Sequence, residues 1–325
     1  MKMPSVVVIG AGIAGLSTAI VLAEQGFQVN ILAREPSSQT TSAVAAAFWY
    51  PYKAYPEEKV AAWGAKTFEM FESLATISST GVKWMRLVQI TDEIEPPWWS
   101  KTVRDFSAAA AEELPIAYAS GIAFDTFVID SSVYLPFLNE SLNKRGVSFF
   151  YEDVGSLNAV FQRFGTERSV DYVVNCSGLG ARSLANDNDL HAARGQVVRI
   201  KKGDDDKAFL DAASHTRFAH CIPRISDTIL GGTYEERVED PIPSSQEIES
   251  IITRCQSLMP RLKALPKEDI LQVSCGFRPV RSSVRLEKEE VSPGKFVFHN
   301  YGHGGAGYTL SWGCALAVLE LMQNI

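Results

Sequence analysis

The chain has no CxxC pair among its five cysteines (Cys176, Cys221, Cys255, Cys275, Cys314), and their odd number and wide spacing leave no framework of paired thiols. That excludes a disulfide scaffold and a cysteine-based zinc or redox centre, and it predicts a reduced, cytoplasmic setting. The five histidines (His191, His215, His220, His299, His303) show no HExxH or similar spacing, so no metal site is expected. No block of Lys or Arg is present, and a net charge of −7 with a pI near 5.4 argues against a nucleic-acid partner or an anionic membrane surface. The longest apolar run, Ala43 to Tyr50, is far short of the ~18 residues a bilayer-spanning helix needs. The first strand pattern starts almost at Met1, leaving no room for a secretory leader, and Gln323-Asn324-Ile325 is not a peroxisomal address. Internal repeats and low-complexity stretches are also missing. Whatever demanding chemistry the chain performs must then come from an organic cofactor.

What is present begins at the N-terminus. Ser5-Val6-Val7-Val8-Ile9 is a short apolar run, followed by Gly10-Ala11-Gly12-Ile13-Ala14-Gly15 and a helical pattern carrying Leu16, Ala19, Ile20, Leu22 and Ala23. This is strand, glycine turn, helix. The first glycine permits the tight turn, the second lets a pyrophosphate approach the backbone, and the third lets helix and strand pack closely. The helix N-terminus adds unpaired N–H groups and a partial positive charge. With a further strand pattern at Val29-Asn30-Ile31-Leu32-Ala33, the context is that of dinucleotide binding. The acidic residue expected on the adenosine ribose, about 20 residues on, falls on Glu35, with Arg34 beside it as a contact to adenine or phosphate.

A chain of 325 residues with 46% hydrophobic content can bury a large core and is expected to form two domains. Tyr134 to Leu142 reads as an amphipathic helix leading to a strand at Val147-Ser148-Phe149-Phe150, and Asp171 to Gly180 repeats the strand-then-glycine pattern. In a doubly wound sheet such a strand end lies on the ligand edge. Segments 81–130 and 196–270 differ: tryptophans, aromatic strands and turn clusters, including Val197-Val198-Arg199-Ile200 and Thr228 to Tyr234, suit an antiparallel sheet laid over a cofactor. The expected fold is α/β, a Rossmann-like nucleotide domain made of residues 1–50, 131–195 and 271–325, and a mainly antiparallel second domain of residues 51–130 and 196–270.

Near the chain end, Gly276-Phe277-Arg278-Pro279-Val280-Arg281-Ser282-Ser283-Val284-Arg285 precedes His303-Gly304-Gly305-Ala306-Gly307-Tyr308-Thr309. A guanidinium is permanently charged and offers parallel donors to both oxygens of a carboxylate, so this run suggests a clamp for an amino or hydroxy acid beside a cofactor. Spacing alone leaves three candidates, and a surface strand is the competing reading.

Gly10 to Gly15, Ser37 to Ser42, Arg194-Gly195-Gln196, Gly276 to Arg281 and Asn300-Tyr301-Gly302-His303-Gly304-Gly305-Ala306-Gly307-Tyr308, in order over nearly the whole chain, resemble the D-amino-acid oxidase family of FAD enzymes. The resemblance implies FAD in the nucleotide fold, an antiparallel domain over the flavin, and small-molecule partners: a D-amino acid and O2. No nucleic-acid or membrane partner is implied, and a homodimer stays open. It places cofactor contacts on Gly10, Gly12, Ile13, Ala14, Gly15, Arg34, Glu35, Thr40, Thr41, Ser42, Ser177, Gly178, Arg281, Gly304, Gly305, Gly307, Tyr308 and Thr309. It places the substrate-carboxylate arginine on Arg285. Arg281 has the same strand parity and would face the same cleft, while Arg278 would point away. The final helix starts just after the glycines, with Leu316, Leu319 and Met322 on one side, so its positive end favours the negative charge of reduced flavin.

One position departs from the family pattern: where a carboxylate-binding tyrosine is common, three residues before the proline of Ile222-Pro223, this chain has His220. It can donate to the same carboxylate or respond to pH near neutrality. Tyr234 resembles a second active-site tyrosine, Tyr52 a side-chain pocket residue, and the Gly305 carbonyl a partner for the substrate amine. The implied reaction is hydride transfer from the α-carbon to flavin N5, reoxidation by O2, and formation of a 2-oxo acid, ammonia and hydrogen peroxide. Alternatives are oxidation of acidic D-amino acids, glycine or N-methyl amines, with Lys53 and Arg217 altering the pocket, or electron transfer to a non-oxygen acceptor. From other classes come an NAD-dependent dehydrogenase and a catalytically silent flavoprotein.

Overall fold

The apolar run at the N-terminus becomes the middle strand of a parallel layer. Its five residues, Ser5–Ile9, are all buried, and parallel partners flank it on both sides. A strand covered on both faces is continuous in hydrophobicity rather than alternating, which is why Val6, Val7 and Val8 stand in succession.

In the computed structural model, which describes residues 3–93, 95–164, 170–212 and 218–324, the chain runs β1 (Ser5–Ile9), α1 (Ile13–Glu24), β2 (Gln28–Ala33), α2 (Thr41–Val44), α3 (Glu57–Ala75), β3 (Val82–Ile90), β4 (Arg104–Ala108), β5 (Gly121–Ile129), α4 (Ser131–Lys144), β6 (Ser148–Tyr151), α5 (Leu157–Phe164) and β7 (Tyr172–Asn175). It continues through α6 (Ala181–Leu184), β8 (His191–Lys201), β9 (Lys207–Asp211), β10 (Ala219–Pro223), β11 (Asp227–Gly231), β12 (Glu235–Glu236), α7 (Ser245–Leu258), β13 (Ile270–Ser292), β14 (Lys295–His303) and α8 (Gly307–Gln323). The predicted Rossmann-like α/β class is the observed one. Arg217 and His215 lie outside the described residues.

The strands join one sheet in the order β4-β5-β3-β9-β10-β11-β8-β13-β14-β7-β1-β2-β6, with β12 pairing β8 off this path. The run β14-β7-β1-β2-β6 is parallel, whereas β9-β10-β11-β8-β13-β14 and β4-β5-β3 are antiparallel; within the segments expected to form an antiparallel sheet, β3 and β9 pair in parallel. The long strand β13 is the hinge of this layout. Its first half pairs with β8 through Val280↔His191, and its second half pairs with β14 from Arg285↔Tyr301 onward. At the handover the register advances from Val280↔His303 to Arg285↔Tyr301, five residues on β13 against two on β14, so a bulge occupies 281–284.

Helix α8 is buried on nearly every side, with Leu316 among its less covered residues, so the one-sided pattern expected for it is exceeded. Helix α3, inside the segment assigned to the second domain, lies against it closely enough that a Cβ on Gly313 would stand 2.0 Å from the Trp63 carbonyl oxygen. Thr67 Oγ1 accepts from the Gly313 amide at 2.9 Å, and Ser17 of α1 donates to Ser311 O at 3.1 Å. These contacts fix the start of α8 beside the start of α1.

Candidate active site

A cavity of about 670 Å³ runs from the glycine turn after β1 to a cluster of aromatic residues under β10. At its first end, Gly10 takes φ +110°, and a Cβ there would lie 2.4 Å from Cys176 O. A Cβ on Gly15 would lie 2.0 Å from Gly10 O, so this glycine packs helix against strand beneath the cavity wall rather than lining it. Helix α1 has Gly12 as its N-cap and no side-chain cap, which leaves amides and a positive helix end directed at the cavity. Gly12, Ile13, Ala14, Arg34 and Glu35 line it as well. Arg34 Nε is 3.3 Å from Glu35 Oε1, both side chains being largely exposed at the cavity rim.

The loop of Thr40, Thr41 and Ser42 lines the middle stretch and is tied to three elements. Ser42 Oγ accepts from the Ile13 amide at 3.0 Å, Thr41 Oγ1 donates to Phe277 O at 3.1 Å, and Tyr308 donates to Ser42 O at 2.8 Å. From the opposite side come Ser177 and Gly178 after β7, and Gly304, Gly305, Gly307 and Tyr308 at the start of α8. Gly304 has φ +54°, and a Cβ on it would lie 2.4 Å from Lys53 O. Thr309 is not on the wall: its buried hydroxyl donates to Tyr50 O at 2.8 Å and accepts from Tyr50 N at 3.0 Å, so it positions the segment around Tyr50 instead. Asp153, Val154 and Gln39 also line the cavity, in loops whose sequence carries no motif.

The far end holds Phe48, Tyr50, Tyr52, Phe218, His220 and Arg278. Tyr52 stacks on Phe218 with centroids 5.8 Å apart. Tyr234 stands behind this wall, edge-on to Tyr52 at 6.0 Å and 5.5 Å from the Arg278 guanidinium carbon, with Lys53 Nζ 3.5 Å above its ring. Burial raises the Tyr52 phenol, and burial together with Glu236 pushes Tyr234 up to about 12, so both rings stay neutral at ordinary pH.

Here the structure departs from the expected role of each arginine. Arg278, expected to point away, faces the cavity, and among the described residues no carboxylate pairs with it; Nη1 donates to Thr233 O at 3.2 Å. Burial works against its charge. On β8 the register partner of Arg278 is Ala193, and the diagonal position is kept open by Gly195, where a Cβ would stand 2.2 Å from Arg278 Nη1. Arg285, expected to be the clamp, does not line the cavity: it donates to Glu287 at 2.6 Å, Glu289 at 2.8 Å and Tyr301 Oη at 2.8 Å. Arg281, expected near the flavin, is bound to Asp187 at 2.8 Å and is also off the wall. The parity relation itself holds, since Arg281 and Arg285 meet at Asp187 and Tyr301 while Arg278 takes the other side; what fails is the assignment of the cavity to the face of Arg281 and Arg285.

His220 is at the predicted place but in a different protonation regime. Burial first, then the nearby Arg278 and Arg254 charges, press its imidazole down to about 3, so it is neutral across the physiological range rather than responsive near pH 7. Its Nε2 has no hydrogen-bond partner among the described residues and lies against Gly231, where a Cβ would stand 2.0 Å away.

A cavity of this size, lined by a glycine cradle and a helix N-terminus and also by aromatic side chains with the Arg278 guanidinium, has the donors that a dinucleotide flavin requires. Comparisons with known proteins agree. A family model described as FAD dependent oxidoreductase matches residues 5–321. The chain is 43% identical to a D-amino-acid oxidase of Rubrobacter xylanophilus over 95% of this chain and 93% of that one. It is 34% identical to a D-amino-acid oxidase of Dictyostelium discoideum over 98% and 92%, and 30% identical to the human D-aspartate oxidase over 100% and 96%. Among solved structures, glycine oxidase from Bacillus cereus superposes with a TM-score of 0.80 at 18% identity, covering 98% of this chain and 97% of that one, a likeness of fold. With its glycine cradle, its cavity and its sequence all in accord, the chain belongs to the FAD dependent oxidoreductase family that contains the D-amino-acid oxidases, and it is an FAD enzyme.

Proposed function

We propose that this protein oxidises D-amino acids to imino acids, which water converts to 2-oxo acids and ammonia, and that Arg278 binds the substrate carboxylate. The observation that carries this reading is a guanidinium with no carboxylate partner among the described residues, facing a cavity that also holds a dinucleotide cradle. Partly desolvated, that cation gains most from an anion that offers two oxygens to its fork. FAD, which Gly10, Gly12, Ser42, Ser177 and Gly304 would hold, would supply the two-electron acceptor chemistry, with O2 as the final oxidant and hydrogen peroxide as its product.

The chain's own residues do the orienting. With the carboxylate on Arg278 and the amine directed at the Gly305 carbonyl, the α-hydrogen is fixed in one direction, and such positioning is worth about 7 kcal/mol or more over free encounter. Tyr52, Phe218, Phe48 and Tyr50 exclude water and favour an apolar side chain. His220, neutral and one-sidedly unpartnered, contributes shape and a hydrogen-bonding nitrogen without adding charge. The start of α8, rich in amides at Gly304 to Gly307, presents a positive end to the cofactor chamber. We assign the nucleotide half to residues 1–50, 131–195 and 271–325 and the substrate half to 51–130 and 196–270, with a cytoplasmic location and a homodimer as accompanying proposals.

An anaerobic panel of D- and L-amino acids, read by flavin bleaching and then by peroxide release on admitting air, tests this. Bleaching by neutral D-amino acids with peroxide formation is expected. Bleaching only by L-amino acids, or bleaching without peroxide, would overturn the substrate or the oxidase assignment respectively.

A further inference from the structure

The turn that brings Ser177 and Gly178 to the cavity wall is held from behind by a hydrogen-bond chain with a fixed sense. Asn175, fully buried at the end of β7, accepts at Oδ1 from the Ser177 amide at 3.2 Å and from Ser177 Oγ at 2.6 Å. A backbone amide can only donate, so the carboxamide oxygen must face Ser177 and the nitrogen must face away. That nitrogen, Nδ2, meets His299 Nδ1 at 3.3 Å. It can only donate, so Nδ1 must accept, and the ring proton sits on Nε2, which is 2.9 Å from Glu289 Oε2. The neutral Nε2–H imidazole is the one state that satisfies every link.

We propose that His299 is a positioning residue for the cofactor turn: a proton on Nδ1 would set two donors face to face, free Asn175 from its orientation and release Ser177 and Gly178, so that FAD affinity falls in acid. This rests on FAD as the cofactor and not on the identity of the substrate. The groups facing the imidazole come from each neighbouring strand. From β13 there are Glu289, Glu287 and Arg285, from β7 Asn175, and from its own strand the Tyr301 ring, edge-on at 5.6 Å. Tyr301 Oη is itself held between Arg285 and Asp187, and Arg281 binds Asp187. The two arginines that sequence reading placed in the substrate cleft thus belong to the outer brace of the cofactor cavity. Burial, then Arg285, hold the imidazole below its ordinary value, with Glu289 and Glu287 opposing them.

The sign follows from which state tolerates the proton. In the FAD-free protein the turn can rearrange, so the imidazole value is higher there than in the holoenzyme. Affinity is complete above that higher value and is lost as pH falls through it. FAD released from the holoenzyme, followed by the fluorescence of free flavin at constant ionic strength from about pH 8 to about pH 5, should give a Kd that is level near neutrality and rises in acid by up to tenfold per pH unit, the limit for one linked proton. In His299→Asn, Oδ1 still accepts from Asn175 but cannot be protonated in this range, and the profile should be flat. In Asn175→Asp, a carboxylate oxygen accepts from a protonated imidazole, and the loss should move to lower pH. A wild-type Kd that stays level to about pH 5, or a His299→Asn profile that rises as the wild type does, overturns the proposal. If His299→Asn does not retain flavin at any pH, an Asn175→Asp profile identical to wild type does so.

Discussion

Removing Arg278 and removing Arg285 should have opposite consequences, and the contrast discriminates between the clamp that geometry supports and the one that the family resemblance suggested. Truncating one partner of a desolvated, hydrogen-bonded charge pair costs about 2–5 kcal/mol. At 1.36 kcal/mol per decade this lowers kcat/KM of Arg278→Ala for D-alanine by about 30-fold to about 5,000-fold. Both KM and kcat should suffer, because a carboxylate without its fork is bound weakly and also points the α-hydrogen less well. Flavin should be retained, since Arg278 stands at the end of the cavity remote from the glycine cradle. For Arg285→Ala the losses are ion pairs to Glu287 and Glu289, whose side chains are 55% and 45% exposed, and one hydrogen bond to Tyr301. Pairs this open to water contribute under ~1 kcal/mol each and the hydrogen bond about 1 kcal/mol, all of it to stability. Its kcat/KM should stay within about threefold of wild type while the Tm drops by a few degrees. Steady-state kinetics by peroxide release, with flavin content read from visible absorbance, measures both. If Arg285→Ala loses two decades of kcat/KM at full flavin occupancy and Arg278→Ala does not, the assignment of the clamp is wrong.

Two further outcomes follow from the same chamber. Gly195→Ala puts a methyl 2.2 Å from Arg278 Nη1, so the guanidinium must swing out of place. Its kcat/KM should approach that of Arg278→Ala although the arginine is still present, which kinetics on flavin-replete protein will show. His220 has a folded-state value near 3 against an ordinary 6.5, so its contribution to stability is complete above about pH 6.5 and is lost as pH falls toward 3, at up to about 1.4 kcal/mol per pH unit. His220→Phe should therefore flatten the acid limb of the urea-denaturation midpoint between about pH 4 and about pH 6.5, and an acid limb as steep as that of the wild type would show that the imidazole is not held neutral.

The nucleotide half was readable because its signals are local. A β-strand, a glycine turn and a helix occupy consecutive residues from Ser5 to Glu24, and each glycine answers a steric demand of a backbone close by in the fold: Gly15 against Gly10, Gly10 against the strand end at Cys176. The antiparallel half was readable from aromatic strands and turns for the same reason. The loops carrying Gln39, Asp153 and Val154 were not, since their place on the cavity wall depends on where distant strands end.

The arginine run shows where such reading stops. The order of residues alone determined that this chain binds a dinucleotide and that an arginine stands ready for a carboxylate near a glycine-rich helix start, and the resemblance to the family made that dinucleotide FAD and marked His220 as unusual. Which arginine, and in which charge state the histidine rests, were decided by tertiary structure. Strand alternation separates Arg278 from Arg281 and Arg285, but which of the two faces meets the cavity depends on how β13 passes from β8 to β14, which only the positions of both partners impose. Burial likewise is a property of everything packed around a residue, so the imidazole of His220, beside Arg278 and Arg254 and against Gly231, could have its proton removed only by the folded whole.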